Sequence, residues 1–78
     1  MEMIDERIAV GAVFQDNVVK PRWFIWNNRK YEVKEITFRW KNRVGADVFS
    51  YFSVSDGNNL YQLSLSQKHL LWTLEKVA

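Results

Sequence analysis

The sequence predicts an all-β fold: about six antiparallel strands in meander order, bent into a half-open roll or small barrel. Three observations predict it. Apolar and polar residues alternate along most of the chain, the period of a strand with one buried face. Clusters of Asn, Asp, Gly and Ser separate the alternating runs, as turns require. The apolar parity also flips inside one long run, which marks a bulge that bends a sheet over its own core.

The first strand is predicted over 6–14, where Ile8, Val10, Ala12 and Phe14 share a face before the turn residues of "QDN" at 15–17. The second spans 18–26. Pro21 lacks an N–H and belongs at a strand start or on an edge. Asn27-Asn28 suits a two-residue hairpin turn, because Asn tolerates positive φ. That turn sets Trp26 opposite Arg29, Ile25 opposite Lys30, Phe24 opposite Tyr31 and Trp23 opposite Glu32. Phe24, Trp26, Tyr31 and Val33 then face inward, and Trp23, Ile25, Lys30, Glu32 and Lys34 outward.

The third strand is predicted over 29–40, with a bulge near Lys34-Glu35 that turns Val33, Ile36, Phe38 and Trp40 to one side. "KNRVGA" at 41–46 reads as a loop, and strands follow over 47–55 and 59–66 around the turn "SDGNN". Residues 66–78 fit two patterns. Leu70, Leu71, Leu74 and Val77 have helical spacing behind a Ser66 cap, whereas Trp72-Thr73-Leu74 alternates; a strand over 70–77 is favoured. The expected core is Ile8, Val10, Phe14, Phe24, Trp26, Tyr31, Val33, Ile36, Phe38, Trp40, Phe52, Val54, Leu63, Leu65, Trp72 and Leu74.

A chain of 78 residues makes one small domain, 1–78. It contains no cysteine, so neither disulfides nor thiolate metal sites stabilise it; twelve Phe, Trp and Tyr supply core mass instead. No run approaches the roughly 18 apolar residues of a membrane span. The N-terminus "MEMIDERIAV" carries acids where a signal peptide needs bases, so a cytoplasmic and most simply bacterial protein is expected. The overall charge of +2 is small but uneven: residues 1–19 carry a net −3, residues 20–43 a net +6 and residues 44–78 a net −1.

The pattern P-x-x-F-x-W-x-x-x-x-Y-x-V-x-x-I is met by Pro21, Phe24, Trp26, Tyr31, Val33 and Ile36. I-x-V-x-A-x-F precedes it at Ile8, Val10, Ala12 and Phe14; Trp40, then Phe52 and Val54, Tyr61 and Leu63, and Trp72 and Leu74 follow. On these residues nearly the whole chain resembles a family of short, uncharacterised bacterial all-β domains. Asn28 departs from the glycine expected in that turn. The resemblance implies the fold and a C-terminal strand. Some members look like companions of DNA-repair polymerase machinery, an association without a mechanism, and the resemblance supplies no catalytic residue.

The chemistry inventory is short. His69 is the single histidine and sits beside Gln67 and Lys68 in a predicted turn. Without a second His, a Cys or a carboxylate cluster, no metal or other cofactor is expected. Glu32 and Glu35 lie beside Lys30 and Lys34, where charge pairing accounts for them. Gly11, Gly45 and Gly57 make no phosphate loop. A non-enzyme is expected.

What stands above background is the basic-aromatic stretch "KPRWFIWNNRKYEV". Its outward residues, with those past the bulge, are Trp23, Ile25, Lys30, Lys34, Arg39 and Lys41. Either a neighbouring segment covers Trp23 and Ile25, or they form an interaction patch, or Trp23 stacks a base while the cations hold phosphates. The expectation is a small non-enzymatic module for protein contact or self-association through the outer face of the 20–34 hairpin, its partner a second copy or another protein. Single-strand nucleic-acid binding by residues 20–43 is the alternative.

Overall fold

The computed structural model describes residues 2–78, and these form seven strands: β1 (Glu2–Gln15), β2 (Val18–Trp26), β3 (Arg29–Glu32), β4 (Glu35–Val44), β5 (Asp47–Ser55), β6 (Leu60–Ser66) and β7 (Leu71–Val77). Every pairing is antiparallel, in the order β3-β2-β1-β7-β6-β5-β4. The sheet is a meander curled into a half-barrel. Residues 71–77 are strand, so the helical alternative falls.

Two corners produce the curl. The first lies within β1, which pairs with β7 as far as Ile8↔Trp72 and with β2 from Ala9↔Ile25 onward. The second lies at Val33-Lys34. There the run expected as one strand over 29–40 breaks, and the strand count becomes seven rather than six. Val33 N donates to Arg22 O of β2 at 2.8 Å, and Lys34 N to Ser55 O of β5 at 2.8 Å. Consecutive residues thus bond to opposite walls.

The 27–28 turn forms as its residues demand: Asn27 (φ 53°) and Asn28 (φ 61°) are both left-handed, and all four expected cross-strand pairs are present. Asp16 and Asn17 repeat this between β1 and β2, with φ of 54° and 63°. The expected loop over 41–46 contracts to a tight turn at Gly45-Ala46, because β4 and β5 stay paired up to Val44↔Asp47.

The buried core is Phe24, Phe52, Val54, Tyr61, Leu63, Leu65 and Leu74, with Ile8, Val10, Trp26, Tyr31, Val33, Ile36 and Trp72 packed around it. Phe24 forms a triad with Tyr31 (centroids 5.1 Å apart, stacked) and Tyr61 (5.1 Å, edge-on), whose own centroids are 5.6 Å apart. Tyr61, absent from the expected core, belongs there because its hydroxyl leaves the apolar region to reach Asp56 Oδ2 at 2.8 Å. Three expected core residues do not. Phe14 points inward by parity, but it lies beyond the end of β7 and is 66% exposed. Phe38 and Trp40 are on the outer face. The register shift falls between Ile36 and Phe38, not at Lys34-Glu35, so Thr37 is the extra residue. Val33 and Ile36 both face inward as expected, but the strand break brings this about, and the later bulge turns Phe38 and Trp40 out.

Two carboxylates tie the turns together. The Ser66 hydroxyl donates to Asp47 Oδ2, and the N–H groups of Lys68 (2.9 Å) and Val48 (2.7 Å) to Oδ1. The Ser66 bond foremost, against the opposing effect of burial, holds the Asp47 carboxyl below the ordinary carboxylate value. Burial alone would raise Asp56; bonds from the N–H of Asn59 and Asn58 and from the Tyr61 hydroxyl outweigh it and lower the pKa. A depressed folded-state pKa stabilises above the unfolded value, about 3.9, and the contribution is lost as pH falls through the folded value. Urea midpoints should therefore be flat between about pH 5 and 7 and fall below about pH 4. Asp47→Asn with Asp56→Asn should flatten that acid limb; an acid limb as steep as in the parent chain would show that these two groups do not cause it.

Candidate functional site

The second corner leaves the half-barrel unclosed above it. β3 pairs with β2 only over Trp23–Trp26, and the Val33–Arg22 bond extends that contact by one step. Residues 18–21 of β2 therefore have no strand on that side among the described residues. Among the described residues β4 ends the sheet and pairs only with β5. Two unpaired edges consequently diverge from the Val33-Lys34 corner as a wedge. Pro21 contributes no N–H to the β2 edge. It sits where the pairing jumps from Ala12↔Pro21 to Gly11↔Trp23 and leaves Arg22 as the extra residue.

A cleft of about 340 Å³ occupies the wedge, between Val18 and Val19 on one side and Arg39, Trp40 and Lys41 on the other, with Ser50, Tyr51, Phe52 and Gln67 also lining it. One side chain crosses it: Arg39 Nη1 donates to Val19 O at 2.8 Å, with the guanidinium 5.8 Å from the Phe52 ring centroid. Gln67 Nε2 donates to Ser50 Oγ at 3.0 Å.

The β4 bulge gives this edge two unlike faces. Opposed residues share a face, so Arg39 with Phe52, Lys41 with Ser50 and Arg43 with Val48 are on the inner face, Arg39 and Lys41 at the cleft and Arg43 beyond it. Phe38 with Ser53, Trp40 with Tyr51 and Asn42 with Phe49 point outward. Trp40 stacks on Tyr51 (5.2 Å, 7°), Phe38 lies 5.3 Å from Trp40 and Phe49 6.3 Å from Tyr51, an aromatic row ending in the 62% exposed Phe38. Burial, and then the Glu75 carboxylate, raises the Tyr51 pKa, so its hydroxyl is neutral across the physiological range.

The six residues singled out by sequence do not form one surface. Arg39 and Lys41 line the wedge. Lys34 leaves the corner toward the 55–59 turn, in ordinary contact range of Gly57. Trp23, Ile25 and Lys30 are on the outer face of the other wall. Trp23 is half-buried because its indole packs against Gly11 of β1, and Lys30 Nζ lies over the ring 5.2 Å from its centroid. Ile25 is 36% exposed. The wedge itself was missed: an unpaired edge follows from which strands end where, and no residue pattern reports that. His69 is exposed in the 67–70 turn, where its backbone N donates to Ser66 Oγ. Among the described residues no three His, Cys, Asp or Glu side chains converge as metal ligands, and no helix is long and apolar enough to cross a membrane. No family model, curated protein or solved structure matches the chain.

Proposed function

We propose that this protein is a small non-enzymatic interaction module that takes an extended segment of a partner protein into the wedge as an added strand. The observation that carries the reading is the pair of unpaired backbone edges facing each other across a cleft, bridged by a single side chain. Exposed edges are templates for strand pairing, and main-chain hydrogen bonds then supply affinity. Contact through the outer face of the 20–34 hairpin is a weaker reading, because the Trp23 indole is half-buried against Gly11 and has Lys30 Nζ 5.2 Å from its ring centroid.

The same packing weakens the nucleic-acid reading. A base needs a free aromatic face with cations beside it for the phosphates. Trp23 is half-buried against Gly11 with Lys30 Nζ 5.2 Å from its ring centroid, and by register Phe38 and Trp40 alternate with Arg39, Lys41 and Arg43 on the other face of β4.

Short peptides selected from a displayed library for binding to this chain test the proposal. They should slow hydrogen exchange at the amides of β4 that do not bond to β5, and N-methylation at alternate peptide residues should abolish binding. Selected peptides that protect the Trp23 hairpin instead, or that tolerate N-methylation, would rule strand addition out.

A further inference from the structure

We infer that the strand accepted by the wedge is acidic at every second residue and apolar between, and that it comes from a different protein and not from a second copy of this chain; the inference rests on the strand-addition reading. Arg39, Lys41 and Arg43 recur with the strand period of two on the inner face of an unpaired edge. Their partners on β5 are Phe52, Ser50 and Val48, none of which is charged. The salt bridge found among the described residues lies elsewhere, between Lys30 and Glu32 at 3.5 Å. Arg39 is satisfied by a carbonyl and an aromatic ring, without a carboxylate.

A strand laid beside β4 sets its own alternate side chains opposite these three. Directly opposed residues interact most strongly, so carboxylates there attract and cations repel. Antiparallel pairing of β4 with a second β4 would oppose Arg39, Lys41 and Arg43 to one another, and inward charges on an edge are a recognised barrier to such self-pairing. An acidic segment turns that barrier into complementarity. The intervening residues of the incoming strand fall on the outer face beside Phe38 and Trp40, where apolar side chains extend the exposed end of the aromatic row. Both faces of β4 therefore specify one partner pattern, acidic alternating with apolar over at least the span of the three cations.

Three short blocked peptides test this: glutamate alternating with valine, glutamine with valine, and lysine with valine. Binding is followed by calorimetry at low and moderate salt and by hydrogen exchange at β4. The glutamate peptide should bind about tenfold tighter than the glutamine peptide at low salt, from three cross-strand ion pairs of modest individual strength. The margin should narrow as salt rises. Lys41→Glu with Arg43→Glu, which leaves the Arg39 bridge in place, should reverse the preference toward the lysine peptide while the circular-dichroism spectrum is unchanged. Equal binding of the glutamine and glutamate peptides, with protection of β4, would overturn the acidic pattern and leave strand addition standing. No protection of β4 by any peptide would overturn both. Tighter binding of oligothymidylate than of the glutamate peptide would assign the cations to nucleic acid. A dimer in sedimentation that Phe38→Ser dissolves would show that like charge does not bar a second copy.

Discussion

Phe24→Ala is expected to remove a large share of the chain's stability, about 3–5 kcal/mol. Phe24 is fully buried, stacks on Tyr31 and meets Tyr61 edge-on, so it joins both walls of the half-barrel. Removing a buried phenylalanine side chain costs about 3–5 kcal/mol, because the transfer free energy is lost and a cavity remains. A domain of 78 residues has a total stability on the order of 4–12 kcal/mol. The core has few other members to absorb the loss, since much of the chain's aromatic mass lies outside it in Phe14, Phe38, Trp40 and Trp23. The check is a urea titration followed by far-ultraviolet circular dichroism, with Phe24→Leu as a control that retains most of the volume. A loss below about 1 kcal/mol for Phe24→Ala would mean that the two walls do not depend on this contact.

Gly11→Val is expected to destabilise by about 1–3 kcal/mol, although it adds apolar surface in a strand and replaces a residue of poor strand propensity. Gly11 pairs with Trp23 across the β1–β2 ladder, and a Cβ at Gly11 would come within 2.1–2.4 Å of three indole atoms, far closer than van der Waals contact. The ring has to swing away, giving up both the glycine surface and its contact with Lys30. Trp23→Ala alone should also destabilise, by loss of that packing. In the double variant the clash is gone, so the two effects should fall well short of additive. Additive losses in the double-mutant cycle would show that Gly11 matters for some reason other than the indole.

The two substitutions mark what was legible and what was not. Alternation together with Asn27-Asn28 determined the β2–β3 hairpin, its register and the inward placement of Phe24, Trp26 and Tyr31. These are local consequences of the two-residue period and of the positive φ that Asn accepts, and both act within a few residues. The same logic fixed the all-β class and the inward positions of β5 and β6.

Beyond the hairpin, local pattern ran out. A parity change between Val33 and Ile36 has the same sequence signature whether it arises from a bulge or from a strand that breaks and changes partner. The backbone bonds of Val33 to β2 and Lys34 to β5 decide for the break. A second shift at Thr37 carries no compositional mark, because Phe38 and Trp40 are as apolar as core residues and are stabilised outside by stacking on each other and on Tyr51. The sequence by itself therefore determined the strands, the turns and most of the core. The tertiary structure alone decided which edges remain unpaired and which cations lie over the wedge, because strand ends and sheet curvature depend on contacts between residues distant in the chain.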